Sequence, residues 1–192
     1  MDQIAKIRAV LLYILKEIPS GADYIKIFKI LYFAQQAHLV TYGSVIIEDS
    51  FRALRRGPVP SFLYKALQYC VDGSSESKEI KFCIEGVSVS NRDTLPLFSA
   101  TEKPDMDELS ISDIECLNKS IMDYKDVDSD MLSEKSHEDK AWINANKRYN
   151  EDPGFKGLIT PIEIAKAGGA LKGVIDYIRE DQLIDRAFCC NE

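Results

Sequence analysis

Apolar residues recur over the first eighteen positions at steps of three and four: Ile4, Ile7, Leu11, Ile14 and Ile18, with Lys6, Lys16 and Glu17 between them. That spacing predicts one apolar stripe along a helix, stopped by Pro19-Ser20-Gly21. From Asp23, a suitable N-cap, to about Thr41 the pattern widens. Ile27, Phe28, Ile30, Leu31, Phe33, Ala34, Ala37, Leu39 and Val40 cover most of the circumference, which predicts a central, largely buried helix closed at Tyr42-Gly43. Val45 to Ile47 and Ser50 to Leu54 predict a small hairpin around a polar turn at Glu48-Asp49. Gly57-Pro58-Val59-Pro60 reads as a rigid turn, because each proline fixes its own φ and pushes its predecessor out of the helical region. Ser61 then caps a helix to about Val71, and Asp72 to Lys78 is a polar loop. Glu79 to Ser90 alternates partly, as a half-buried strand does, and another short strand is expected near Leu95 to Phe98. Helical signals return at Ile111, behind Ser110 or Ser112, and continue through Leu117, Ile121, Leu132, Trp142 and Ile143. Thr160-Pro161 opens a helix to Ala167, and Ala170 to Phe188 forms another after Gly168-Gly169. The expected fold class is α+β: a mostly α-helical single domain with a few short antiparallel strands, residues 1–160 forming the domain and 161–192 a helical extension packed on it. The repeated strand–helix alternation of a Rossmann or barrel architecture is missing.

Composition narrows the function classes. The chain has 192 residues, 45% hydrophobic and 29% charged, as expected of a globular protein. Its net charge of −7 has the wrong sign for a surface that grips nucleic acid throughout. The charge is unevenly laid out, with an excess of bases in residues 1–65 and of acids in 102–139. The apolar stretch Tyr24 to Tyr42 is interrupted by Lys26, Lys29, Gln35, Gln36 and His38 and fails as a membrane span. The opening Met1-Asp2-Gln3 lacks a basic and then apolar leader. Five cysteines (Cys70, Cys83, Cys116, Cys189, Cys190) suggest no paired framework, so a reducing, cytoplasmic setting is expected.

Little in the sequence points to catalysis. Any histidine chemistry must use His38 or His137. His137-Glu138-Asp139 has no second His or Cys a helical turn away, which argues against zinc. Gly168-Gly169 lacks the strand and lysine of a phosphate loop and reads as a helix break. No nucleophile elbow or cysteine signature occurs, so no catalytic residue, cofactor or metal is expected; a small hydrolase built on His38 or His137 ranks last. Arg52, Arg55 and Arg56 precede the rigid turn, Arg52 and Arg56 on one strand face and Arg55 on the other, where they meet either phosphate or carboxylates. Tyr32, Phe33, Tyr42, Phe62 and Tyr64 make an aromatic-rich neighbourhood of core and recognition residues.

Lys29-Ile30-Leu31-Tyr32-Phe33-Ala34-Gln35-Gln36-Ala37-His38-Leu39, then Tyr42-Gly43, Phe51 to Pro60 and Tyr64, resembles the Panacea domain family, also called SocA-like or phage-associated GepA-like. Ser136-His137-Glu138-Asp139-Lys140-Ala141-Trp142 is similar to that family's Thr-His-x-x-x-Pro-Trp element. Ala37, Leu54 and Ala141 depart from the family's usual Trp, aromatic and Pro. The resemblance implies an antitoxin of a toxin–antitoxin system that neutralises a cognate, nearby-encoded protein toxin by direct contact, with a proteolytic-adaptor role toward an AAA+ protease as one variant. It marks Tyr32, Gln35, His38, Arg52, Arg55, Arg56, Gly57, Pro58, Tyr64, His137 and Trp142 as motif or partner-surface residues. The alternative is a nucleic-acid-binding regulator of its own operon using the arginine patch. Residues 165–192 lie outside both motifs, and a homodimer contact is one use open to them.

Overall fold

A computed structural model describes residues 2–73, 77–90 and 95–189. Helix α1 (Asp2–Lys16) leads into α2 (Tyr24–Tyr42), the axis of the molecule. Asp23 accepts the Lys26 N–H at the start of α2, and Gly43, at φ +72°, closes its end in the left-handed region, where glycine carries no Cβ penalty. Strands β1 (Phe51–Leu54) and β2 (Gly57–Pro60), helices α3 (Ser61–Asp72) and α4 (Lys78–Cys83), and strands β3 (Val87–Ser90) and β4 (Leu97–Ala100) follow. The second half runs through α5 (Ile111–Tyr124), α6 (Ser129–His137), α7 (Lys140–Glu151), β5 (Leu158–Ile159), α8 (Pro161–Ala167) and α9 (Lys172–Cys189). The α+β class is as expected: helices dominate, and the strands form two small antiparallel sheets. Helix α2 packs against α5, α6, α8 and β2. One apolar cluster runs from Ile7 of α1 through Ile30 and Leu31 of α2 to Ile178 of α9. Each such side chain removed from water contributes about 1.5–3 kcal/mol, which favours wrapping the chain around this helix.

Four local expectations are corrected. Val45 to Ser50 is irregular rather than a strand, because the Gln35 side chain takes the Ile46 and Ile47 N–H groups and the Ile47 carbonyl that a strand partner would otherwise pair. The hairpin lies one step further on: Phe51 pairs with Pro60 and Leu54 with Gly57, so Arg55-Arg56 is the turn and Gly57 to Pro60 is strand β2. In the sheet order β2-β1-β5, β2 is an edge strand, where proline's missing N–H is tolerated. Helix α3 is capped from a distance by Asp49, whose carboxylate accepts the Phe62 and Leu63 N–H groups, whereas the Ser61 hydroxyl donates to the Ser50 carbonyl. Glu79 to Ser90 opens as helix α4, burying Ile80 and Cys83 three apart on one face, and only Val87–Ser90 is strand. At the other end, Thr160 with Pro161 caps α8 and Gly168 ends it, as the sequence predicts.

Candidate partner-binding site

Among the motif residues of α2, three are tied internally. Tyr32 is fully buried and donates its hydroxyl to Asp139 at 2.9 Å, while Gln36 donates to the other Asp139 oxygen at 2.6 Å. Asp139 also accepts the Ala141 and Trp142 N–H groups, so one carboxylate caps α7 and fastens it to α2. Burial, aided by that carboxylate, raises the Tyr32 phenol well above its ordinary range. Engaged on both oxygens, Asp139 has little capacity left as the metal ligand that His137-Glu138-Asp139 suggests on paper. Gln35 fixes the 45–47 segment as described above. His38 places Nδ1 2.8 Å from the Ser44 carbonyl, which sets the proton on that nitrogen, and Nε2 3.1 Å from the Ser112 hydroxyl and 3.5 Å from Asp113. Asp113 is itself buried and paired with Lys6 at 2.9 Å.

The hairpin tip is clamped from outside. Arg52 donates to the Ser61 hydroxyl and the Lys156 carbonyl, so it braces β1 rather than sharing a face with Arg56. Trp142 donates its indole N–H to the Leu54 carbonyl at 3.0 Å and stacks on His137 at 4.2 Å between ring centres. Ser133 donates to the Arg56 carbonyl. Gly57 has φ +98°, and a Cβ there would stand 2.1 Å from the Ser136 hydroxyl and 2.8 Å from the Lys29 amine. Only glycine lets β2 approach α2 and α6 so closely. Pro58 is buried beside it and presents its carbonyl to the Lys29 amine at 2.9 Å.

Between the tip, the head of α2 and α3 lies a pocket of about 360 Å³. Arg55, Arg56 and Tyr64 line it, as do Tyr24, Phe28 and Lys29. The Tyr24, Phe28 and Tyr64 rings meet with centroids 5.8–6.0 Å apart, two of the three contacts edge to face. Burial pushes the Tyr24 phenol up to about 12, with Tyr64 a smaller cause. Lys29, 1% exposed, has its amine lowered by burial from 10.5 to about 7. Arg56 reaches Asp130 at 3.3 Å in an exposed pair; Arg55 is exposed and has no ion pair among the described residues.

The structure thus gathers Arg55, Arg56 and Tyr64 at one place and assigns Tyr32, Gln35, His38, Arg52 and Gly57 to the frame around it. Lys29 and Asp139 stood inside the quoted motifs, yet the sequence alone gave neither a role. A lysine within an all-round apolar helix is the signal that marks the first.

The family model described as antitoxin SocA-like, Panacea domain, matches residues 27–143. The chain belongs to this family. The match runs from α2 into α7 and so contains the hairpin, the clamp and most of the pocket lining of the Panacea domain, while Asp23, Tyr24 and Ile25 lie just before it. Helices α1, α8 and α9 and strand β5 lie outside the matched residues but share its core or its sheet. No curated protein and no solved structure matches the chain. None of the described helices is long and apolar enough to cross a membrane. Burial raises the Cys83 thiol to about 12 and also raises Cys116, so both are held away from the reactive thiolate form.

Proposed function

We propose that this Panacea-domain protein neutralises a cognate toxin encoded beside it, by direct protein contact and without catalysis of its own. Family membership carries the reading. The pocket of motif residues Arg55, Arg56 and Tyr64 at the exposed hairpin tip supports it, because aromatic and arginine side chains around a partly desolvated pocket are what interface hot spots are made of. In this reading residues 1–160 are the antitoxin domain and 161–192 a helical extension packed on it, and delivery of the toxin to an AAA+ protease is a further step open to the complex.

The test is growth of a host expressing the neighbouring reading frame alone and together with this protein, followed by co-purification. Arrest by the neighbour alone, with rescue and a stable complex when both are made, is expected. A harmless neighbour that does not co-purify overturns the proposal. The regulator alternative is weakened because Arg52 is turned to Ser61 and Lys156. It would be revived by binding to its own promoter DNA that falls steeply with salt.

A further inference from the structure

We propose that the pocket between the hairpin tip and the head of α2 captures the C-terminal residue of the partner protein, an aromatic or branched apolar side chain in the pocket and its terminal carboxylate on Lys29 and Arg55. The identity of the partner rests on the antitoxin reading; the chemistry of the pocket does not.

The pocket joins two properties that seldom share a wall. Its lining is mostly apolar, with Tyr24, Phe28, Leu54 and Val59 around the space. Its volume of about 360 Å³ lies at the lower end of the usual range for ligand sites, roughly 300–1,000 Å³. Yet Lys29, which also lines it, carries an amine with unfilled bonding capacity. An ammonium has three N–H donors, and Lys29 places one on the Pro58 carbonyl with no second acceptor among the described residues. Among the described residues the one carboxylate lining the pocket, Asp23, is already engaged by the Lys26 N–H and the Ser129 hydroxyl. A buried cation without a counter-charge is destabilising. The lowered affinity of this amine for its proton is the same fact seen from the solvent side. A carboxylate entering the pocket supplies the missing acceptor.

The mouth agrees in sign. Arg55 is exposed and without an ion pair among the described residues, and Arg56 is held only by exposed Asp130, so an otherwise acidic chain presents positive charge here. A space of this size accommodates about one large residue, so the apolar group and the carboxylate have to belong to the same residue. A protein offers that combination at its C-terminus, and terminal carboxylate capture is a recurring mode of peptide recognition.

The experiment titrates the full chain with N-acetyl-Leu-Phe as the free acid and as the C-terminal amide, followed calorimetrically at neutral pH. The acid is expected to bind at least about tenfold more tightly than the amide, the size of one charge-assisted hydrogen bond. Arg55→Ala is expected to weaken the acid several-fold, and Lys29→Met to remove the preference for acid over amide while thermal melts show the variant folded. Equal affinity for acid and amide, no binding of either at millimolar peptide, or unchanged affinity in both variants overturns the pocket assignment whatever the growth assay gives. Acid-selective binding beside a harmless neighbouring gene overturns the antitoxin reading instead and leaves the pocket standing. A co-purifying toxin that keeps full affinity after loss of its last residue overturns the assignment of its C-terminus as the occupant.

Discussion

Gln35 and Lys29 lie less than two turns apart on α2, each 1% exposed, and each is a polar side chain where an apolar one would bury more easily. Gln35 uses its amide almost fully: Oε1 accepts from Ile46 and Ile47 at 2.8 and 3.2 Å, and Nε2 donates to the Ile47 carbonyl at 3.2 Å. Lys29 makes one side-chain hydrogen bond among the described residues, to the Pro58 carbonyl, and lines a pocket. A saturated buried amide fixes backbone, and its neighbourhood needs nothing from outside. An unsaturated buried amine keeps capacity in reserve, which is what the proposed carboxylate site on Lys29 would use.

The contrast predicts opposite responses to removal. Gln35→Leu leaves two N–H groups and a carbonyl of the 46–47 segment unpaired, and at about 1–3 kcal/mol for each unsatisfied buried group the total loss is expected to be about 3–5 kcal/mol in urea unfolding. A loss under 1 kcal/mol would mean that water replaces the amide. Asp139→Ala removes a helix cap and strands the Tyr32 hydroxyl, for an expected cost of about 2–3 kcal/mol. Tyr32→Phe should relieve part of that cost in a double-mutant cycle, and strict additivity would deny the coupling.

Lys29→Met is expected to stabilise the protein, with a pH signature. Burial lowers the folded-state value from 10.5 to about 7, so between those values the unfolded chain holds the proton more than the folded one. Wild-type stability therefore rises with pH across that window, by at most about 1.4 kcal/mol per unit. The advantage of the Met variant should be greatest near pH 7 and shrink by pH 9, as read from paired denaturant curves; a constant difference would contradict the burial of an uncompensated amine. Smallest of all, Arg56→Ala breaks only an exposed pair with Asp130 and should change stability by less than about 0.5 kcal/mol.

Much of this was legible because the signals were local. Asp23 and Gly43 bracket α2, and Thr160-Pro161 with Gly168 brackets α8, each by chemistry contained within a few residues. Where the reading failed, the cause was distant. Nothing near Ile46 announces that Gln35 will take its N–H, nothing near Ser61 that Asp49 will cap α3, and nothing near Pro58 that β5 closes the far edge of β1 and leaves β2 free for prolines. The site divides in the same way. Arg55, Arg56 and Tyr64 stood out as motif residues, whereas Lys29 counted only against a membrane span and Asp139 only as part of a triplet whose spacing argues against zinc, because their roles depend on what the fold sets opposite them.

The pairing of Phe51 with Ile159 also sets an order of events on the ribosome. Translation delivers the hairpin about a hundred residues before its last strand, an interval of roughly 5–20 seconds at bacterial and eukaryotic elongation rates. During it β1 has an open edge, the condition under which one nascent chain pairs with another. Synthesis of Leu158–Ile159 covers that edge and leaves a two-residue strand outermost in its place, too short to offer a neighbouring chain much to pair with.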